Sequence, residues 1–344
     1  MKETRNTPLE GKRLLVVGAG GFIGGFICSE GLRRGMKVTA AVRETTSRRY
    51  LTDPALEFLV LDYDDPEAME QAIAACEPWD FVIHNLGATK AATFPEFNLV
   101  NFEYLRRMVE ALKKTGHEPQ NFLYMSSLSA LGPGDEKGYT PLSAATVPNP
   151  NTRYGLSKIK AEQYLEFQAG IPYVIFRPTG VYGPHEKDYL MMIKSIDSHF
   201  DFGVGYRKQL LTFIYVDDLV NAMFDALAAG VTGRKYIISE ERSYTQKEFR
   251  DIVAEELGGK FVIPVKLPMW AVWVASFVAE KIGHFRAKPS TLNRDKFKIM
   301  KQRNWQADVS DAVRDFGFRS RVDLREGIRR TVAAYKESKK RKKS

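Results

Sequence analysis

The sequence predicts an α/β fold, a doubly wound parallel sheet with a smaller C-terminal lobe interwoven with it. Three observations carry this. Short apolar runs rich in β-branched residues recur at 13–17, 37–42, 56–61, 80–84, 121–125 and 173–176. Such runs, without polar alternation, are the pattern of parallel strands buried on both faces. Helix-length segments separate them, and in one the spacing of Leu99, Phe102, Leu105, Met108, Val109 and Leu112 draws a single apolar stripe to lay on a sheet. The first run ends in a cluster of glycines, the punctuation expected where a strand turns straight into a helix.

The chain has 344 residues, 44% hydrophobic and 12% aromatic, enough for a large core and unlike a disordered, collagenous or disulfide-scaffold sequence. No linker rich in Pro, Gly or Ser and no fixed-period repeat divides it, so a second lobe should be woven into the first. The expected partition is 11–180 and 211–240 for the sheet domain, then 181–210 and 241–335 for a substrate lobe with the C-terminal helices. A basic, disordered tail is expected at 336–344. Cys28 and Cys76 have no metal-ligand spacing with the histidines and are too few for a disulfide framework, which fits a reducing compartment and gives no metal site. Residues 1–10 lack the apolar core of a signal peptide, and the apolar run 267–279 is too short to span a bilayer. A cytoplasmic location with no membrane span follows. Much of the net charge of +9 sits in the tail, where like charges repel. That predicts a solvated tail, weak contact with an anionic surface at most, and no nucleic-acid partner.

The first strand runs into Gly18-Ala19-Gly20-Gly21-Phe22-Ile23-Gly24. Glycine suits this junction because the chain must turn tightly, admit a pyrophosphate to the backbone and pack the following helix close to the strand. The helix N-terminus, opening at Phe22 and Ile23, then attracts phosphate. Strand, loop and helix together are the context that makes this a dinucleotide site of the Rossmann type. The second strand ends on Arg43, where a site for NAD would place an acid on the ribose 2′-hydroxyl. A guanidinium there suits a 2′-phosphate, with Arg48 and Arg49 within reach. NADP(H) is therefore the preferred cofactor; Glu44, one residue on, keeps NAD(H) as the alternative.

Tyr154 and Lys158 lie four residues apart, on one face of a helix that continues through Ile159, Tyr164 and Leu165. A phenol titrates near pH 10, so proton exchange near neutrality needs a positive charge beside it. Lys158 supplies one. Upstream, the fifth strand ends in Ser126-Ser127, and ligands of such sheets sit beyond the carboxyl ends of the strands. One of these hydroxyls is placed to hydrogen-bond a reacting oxygen.

In order and spacing, GAGGFIG, DFVIHNLGAT, YMSSLSALG, YGLSK, IFRPTGVYGP and FIYVDDL resemble the extended short-chain dehydrogenases/reductases, over roughly residues 12–335. The resemblance implies Tyr154 as acid/base, Lys158 binding the nicotinamide ribose and tuning Tyr154, and Ser127 polarising the substrate, with Ser129 in reserve. It implies Asp62 and Tyr63 beside the adenine, Leu86 and Gly87 along the cofactor and Pro178 near the carboxamide. It also implies a homodimer built on the helices flanking the fourth and fifth strands.

Two positions depart from the nucleotide-sugar branches of that family, which carry Asn where this chain has Thr179 or Gly180, and Arg where it has Leu211. Losing that arginine removes the charge expected to grip a diphosphate. Leu190, Met191, Met192, Met269, Trp270, Trp273, Val274 and Phe277 form a Met- and aromatic-rich set suited to an apolar pocket, though such stripes also pack as core. The pattern looks more like the branch of 3β-hydroxysteroid dehydrogenases and dihydroflavonol reductases. It implies interconversion of a secondary alcohol and a ketone on an apolar cyclic or steroid-like molecule. A nucleotide-sugar epimerase or dehydratase with tightly held NAD is the rival. A non-catalytic dinucleotide sensor is a third reading.

Overall fold

The computed structural model describes residues 8–285 and 294–341. Strands β1 (Arg13–Val17), β2 (Lys37–Val42), β3 (Glu57–Val60), β4 (Phe81–His84), β5 (Asn121–Met125) and β6 (Tyr173–Pro178) stand in the order β3-β2-β1-β4-β5-β6. A seventh, Arg234–Ile238, closes the β6 edge. All pair in parallel. The seventh was not expected, because the two charged residues that open it break the apolar run.

Period-two alternation feeds two cores. Leu14 and Val16 join Val38, Ile83, Leu123 and Phe176 on one face, against the helices Phe22–Arg33 and Val216–Ala228. Leu15 and Val17 join Val82, Phe122, Tyr124 and Ile175 on the other, against Tyr104–Lys114 and Arg153–Phe167. Both faces are covered, so the strands read as uninterrupted apolar runs. The order in which successive strands are added reverses between β1 and β4, the place where such sheets open a ligand crevice.

After β6 the chain leaves the sheet. Gly180–Tyr182 pairs with Phe213–Tyr215, Leu210–Leu211 with Tyr244–Thr245, and Phe200–Val204 with Ile263–Leu267. Helices Lys187–Asp197, Gln246–Glu256 and Met269–Phe285 accompany these small sheets.

By sequence, Asp217 and Asp218 stand where a carboxylate would cap the first-turn amides of a helix over 219–227, yet neither caps the Val216–Ala228 helix, whose N-cap is Tyr215. Asp218 is buried, and its carboxylate accepts from Ser320 Oγ (3.0 Å) and from the backbone N–H of Arg321 (2.9 Å) and Val322 (2.8 Å). It pins the C-terminal segment to the sheet domain. The basic stretch expected as a disordered tail continues the Leu324–Arg341 helix as far as Arg341, with Lys339 Nζ 3.1 Å from Asp197 Oδ2. Partners on a folded surface offset the repulsion among its charges. Residues 342–344 lie outside the described residues.

Candidate active site

The glycine loop is held by contacts that only glycine permits. Gly18 has φ +83°, and a Cβ there would lie 2.7 Å from the backbone nitrogen of Leu86. At Gly24 a Cβ would press on the carbonyl oxygen of Gly18 and stand 2.6 Å from that of Ala19. Side chains at either position would part β1 from β4 or the helix from its strand. Gly21 is the N-cap of the Phe22–Arg33 helix and uses no side chain for capping, so the first-turn amides stay available.

At the end of β2, the Arg43 backbone N–H donates to Thr46 Oγ1 (3.1 Å) and its carbonyl accepts from the Thr46 N–H (2.9 Å), a tight turn that leaves the guanidinium exposed. That charge acts on the buried Tyr63 phenol, whose oxygen has no partner among the described residues. Arg48 turns away and stacks over Phe58, 4.4 Å from the ring centroid. Asp62 is exposed, caps its own turn by accepting from the Asp64 N–H (2.9 Å), and does not line the cavity. Neither joins the site.

Thr152 caps the Arg153–Phe167 helix, its hydroxyl accepting from the Gly155 N–H at 3.0 Å. Gly155 lets this helix press on the carbonyl of Ser129, where a Cβ would collide. Tyr154 and Lys158 therefore point at the end of β5. Lys158 is 3% exposed, donates to the Met125 carbonyl at 2.8 Å and lies 6.0 Å from the Tyr154 ring centroid. Burial lowers its pKa to about 7, with Glu162 pulling the other way. Burial raises the Tyr154 phenol, and a hydrogen bond with the Ser127 side chain lowers it.

The two serines have different surroundings. The Ser126 hydroxyl donates to the Glu162 carboxylate, which also grips Arg177 Nη2 at 2.5 Å. Arg177 and Glu162 are each 1% exposed, and Arg177 Nη1 has no acceptor among the described residues. Ser127 is half-buried beside Tyr154, its oxygen accepting from the Ser129 N–H at 3.2 Å. Ser129 lines a separate small crevice with Pro133 and Trp305, so it is no reserve donor here. Beneath Lys158, the wholly buried His84 is held neutral, its pKa lowered to about 3 by burial and by the lysine charge.

One cavity of about 680 Å³ joins these groups. Gly18, Gly21, Phe22, Ile23, Arg43, Tyr63, Leu86, Gly87, Ser127, Tyr154, Lys158 and Pro178 all line it, while Gly24 supports it from behind. A glycine cradle, a helix N-terminus and an orphaned phenol in one long crevice fit a dinucleotide. Asn101 escaped the sequence reading. Buried within a π-helical turn (Leu99–Glu103), it accepts from the Ala88 N–H (2.7 Å) and donates to Ser157 Oγ (2.9 Å), tying the Gly87 loop to the catalytic helix. Its place in an apolar helical stripe gave no signal. Thr89, Val181 and Glu186 were also missed as lining residues, while Thr179, noted for its departure from the sugar-nucleotide branches, lines the cavity. The Met- and aromatic-rich set expected to line an apolar pocket does not: none of its members borders this cavity, and Met191, Trp270, Trp273, Val274 and Phe277 are exposed.

Residues 14–239 match the model of the NAD dependent epimerase/dehydratase family. A ceramide reductase of Caulobacter vibrioides is 23% identical, covering 93% of this chain and 93% of its own length. A 2-alkyl-3-oxoalkanoate reductase of Shewanella oneidensis is 24% identical, covering 93% of this chain and 85% of its own. The UDP-glucose 4-epimerase of Thermotoga maritima, solved with UDP-glucose, has the same fold: TM-score 0.77 at 21% identity, over 95% of this chain and 99% of that one.

Proposed function

Because the chain belongs to the NAD dependent epimerase/dehydratase family and is an NAD(P)-dependent enzyme, we propose that it interconverts a secondary alcohol and a ketone on an apolar substrate, using NADP(H). The glycine loop, Tyr63, Leu86, Gly87 and Pro178 would hold the dinucleotide, with Arg43 meeting the 2′-phosphate that NAD lacks. Held there, the nicotinamide would supply or accept the hydride at the carbinol carbon. Tyr154 gives the proton to the oxygen in reduction and takes it back in oxidation. Ser127 steadies that oxygen by hydrogen bonding. Lys158 adds positive charge that favours the Tyr154 phenolate and offers an ammonium to the ribose hydroxyls.

The observation that carries the substrate reading is the cavity's charge. Its lining cations among the described residues are Arg43 and Lys158, both assigned to the cofactor, and Glu186 is acidic. Among the described residues no third cation lines the cavity for a sugar nucleotide's diphosphate, and Leu211 stands half-buried in a strand pair with Tyr244. The ceramide reductase and the 2-alkyl-3-oxoalkanoate reductase among the relatives favour the same side. Leu156 and Phe167, exposed on the Arg153–Phe167 helix, support a homodimer through that face.

The test is to titrate the enzyme with NADPH and a panel of ketones from cyclic and steroid-like to long-chain, and separately with a UDP-sugar. Stoichiometric NADPH oxidation with an apolar ketone is expected. Tight UDP-sugar binding with isomerisation and no net cofactor turnover would overturn the reading in favour of an epimerase.

A further inference from the structure

The Met269–Phe285 helix presents the wrong side to solvent for an ordinary surface helix. Its inward positions include Val272 and Ser276, both buried, with the serine hydroxyl bonded back to the Val272 carbonyl at 2.7 Å. Its outward stripe is Trp270, Trp273, Val274, Phe277 and Val278, at helical spacing and all exposed, Trp270 at 72% and Trp273 at 50%. Residues 269–279 contain no charged side chain. A surface helix normally turns polar residues outward.

The apolar face continues beyond the helix. Ile263–Leu267 leads into it through Pro268 and pairs with Phe200–Val204, and a Cβ at Gly205 would lie 3.3 Å from Met269 Sδ. On this small sheet Phe200, Phe202, Ile263 and Leu267 are exposed, the two phenylalanines stacked 6.1 Å apart. Exposed apolar surface of this extent marks a binding face.

In the segments that carry it, the exposed charges are basic. In 198–208 and 260–279 the exposed ionic residues include Arg207, Lys208 and Lys266. The one acid in those segments, Asp201, is buried and hydrogen-bonded by Gln246 at 3.1 Å. Arg294, on the adjoining Arg294–Lys301 helix, stacks on Phe277 at 5.8 Å. Among the described residues no helix is long and apolar enough to cross a membrane. A tryptophan-rich apolar stripe, basic at its margins and too short to span, has the chemistry of a helix lying in the headgroup layer of an anionic bilayer.

We propose that this face, the outward stripe of Met269–Phe285 with the aromatic strand pair beside it, docks the enzyme on an anionic lipid surface. The apolar side chains enter the acyl boundary, and Arg207 and Lys208 meet lipid phosphates. The contact lies on the lobe and is separate from the basic C-terminal helix.

The full chain is sedimented with vesicles of phosphatidylglycerol and phosphatidylcholine in equal parts, and with phosphatidylcholine alone. Wild type should pellet with the mixed vesicles and far less with the neutral ones, its tryptophan emission shifting to the blue. Trp270→Ser/Trp273→Ser/Phe277→Ser should weaken binding at least about tenfold, the least expected when three such side chains no longer enter an apolar phase. Arg207→Glu/Lys208→Glu should abolish the preference for phosphatidylglycerol. Unchanged NADPH affinity and melting temperature show each variant folded; the single change Trp270→Ser serves if the triple variant is not. Wild type left in the supernatant, a triple variant that pellets like wild type, or a charge variant that keeps the preference would each overturn the proposal. So would a dimer that the triple variant dissociates while wild type ignores both vesicles, which would make the face an interface between copies.

Discussion

The Lys158 ammonium donates to the Met125 carbonyl at 2.8 Å, so the cation beside Tyr154 is anchored to the last residue of β5. Burial holds this lysine at about 7, against 10.5 for the free side chain. Between those values the unfolded chain binds more protons than the folded one, so this group makes stability rise with pH. The difference in unfolding free energy between wild type and Lys158→Met should climb as pH goes from 7 towards 10. Denaturant melts at intervals of pH check it, and a flat difference would show that the buried ammonium keeps its proton.

Tyr154→Phe keeps the ring and loses the transferable proton. Turnover should fall by roughly 10²–10⁴-fold, the effect of deleting a general acid/base, with NADPH affinity near wild type. Ser127→Ala removes the hydrogen bond that lowers the phenol. The pH profile of alcohol oxidation, which needs the phenolate, should then move to higher pH. A profile that stays in place would mean the serine acts on substrate alone.

Arg43→Ala should weaken NADPH by about 10–100-fold, the worth of a hydrogen bond to a charged group, and NADH little. Fluorescence titration of both cofactors measures the contrast. Equal losses would show that the exposed guanidinium does not discriminate between them.

The glycine loop offers a graded test. Gly24→Ala drives a methyl into the Gly18 and Ala19 carbonyls, whereas at Gly21 the nearest atom, Gly18 O, is 3.3 Å away. Overpacking of the first kind costs about 1–3 kcal/mol and should also abolish tight cofactor binding. Gly21→Ala should be much milder in both melting temperature and cofactor affinity.

Glu162→Gln leaves Arg177 charged and buried without its counter-ion, and removing one member of such a pair costs about 3–5 kcal/mol. The same change withdraws the charge that raises Lys158. The stability rise attributed to the lysine should therefore begin at lower pH in a Glu162→Gln background.

Sequence carried the features that repeat locally. Leu14 to Val17 read as a doubly buried strand because both faces are covered, and Tyr154 and Lys158 share a helix face by spacing alone. Spacing alone could not separate Ser126 from Ser127, which only the family resemblance picked out, since their difference is made by Glu162, a distant residue whose inward direction leaves no local trace. Trp270 and Trp273 misled because composition records that a side chain is apolar but not what it faces. Asp218 looked like a cap for the same reason: its partners, Ser320 to Val322, are distant in sequence.

Asn101, Glu162 and Arg177 all belong to the sheet domain, and they brace the proton-handling residues from below. The segment after β6 adds to the cavity wall Thr179, Val181 and Glu186, none of which takes part in that brace. A lineage can therefore rewrite what the enzyme accepts by drift in the outer segment while the inner machinery stays untouched. New specificity is then reached by many small steps that keep the chemistry alive at each one.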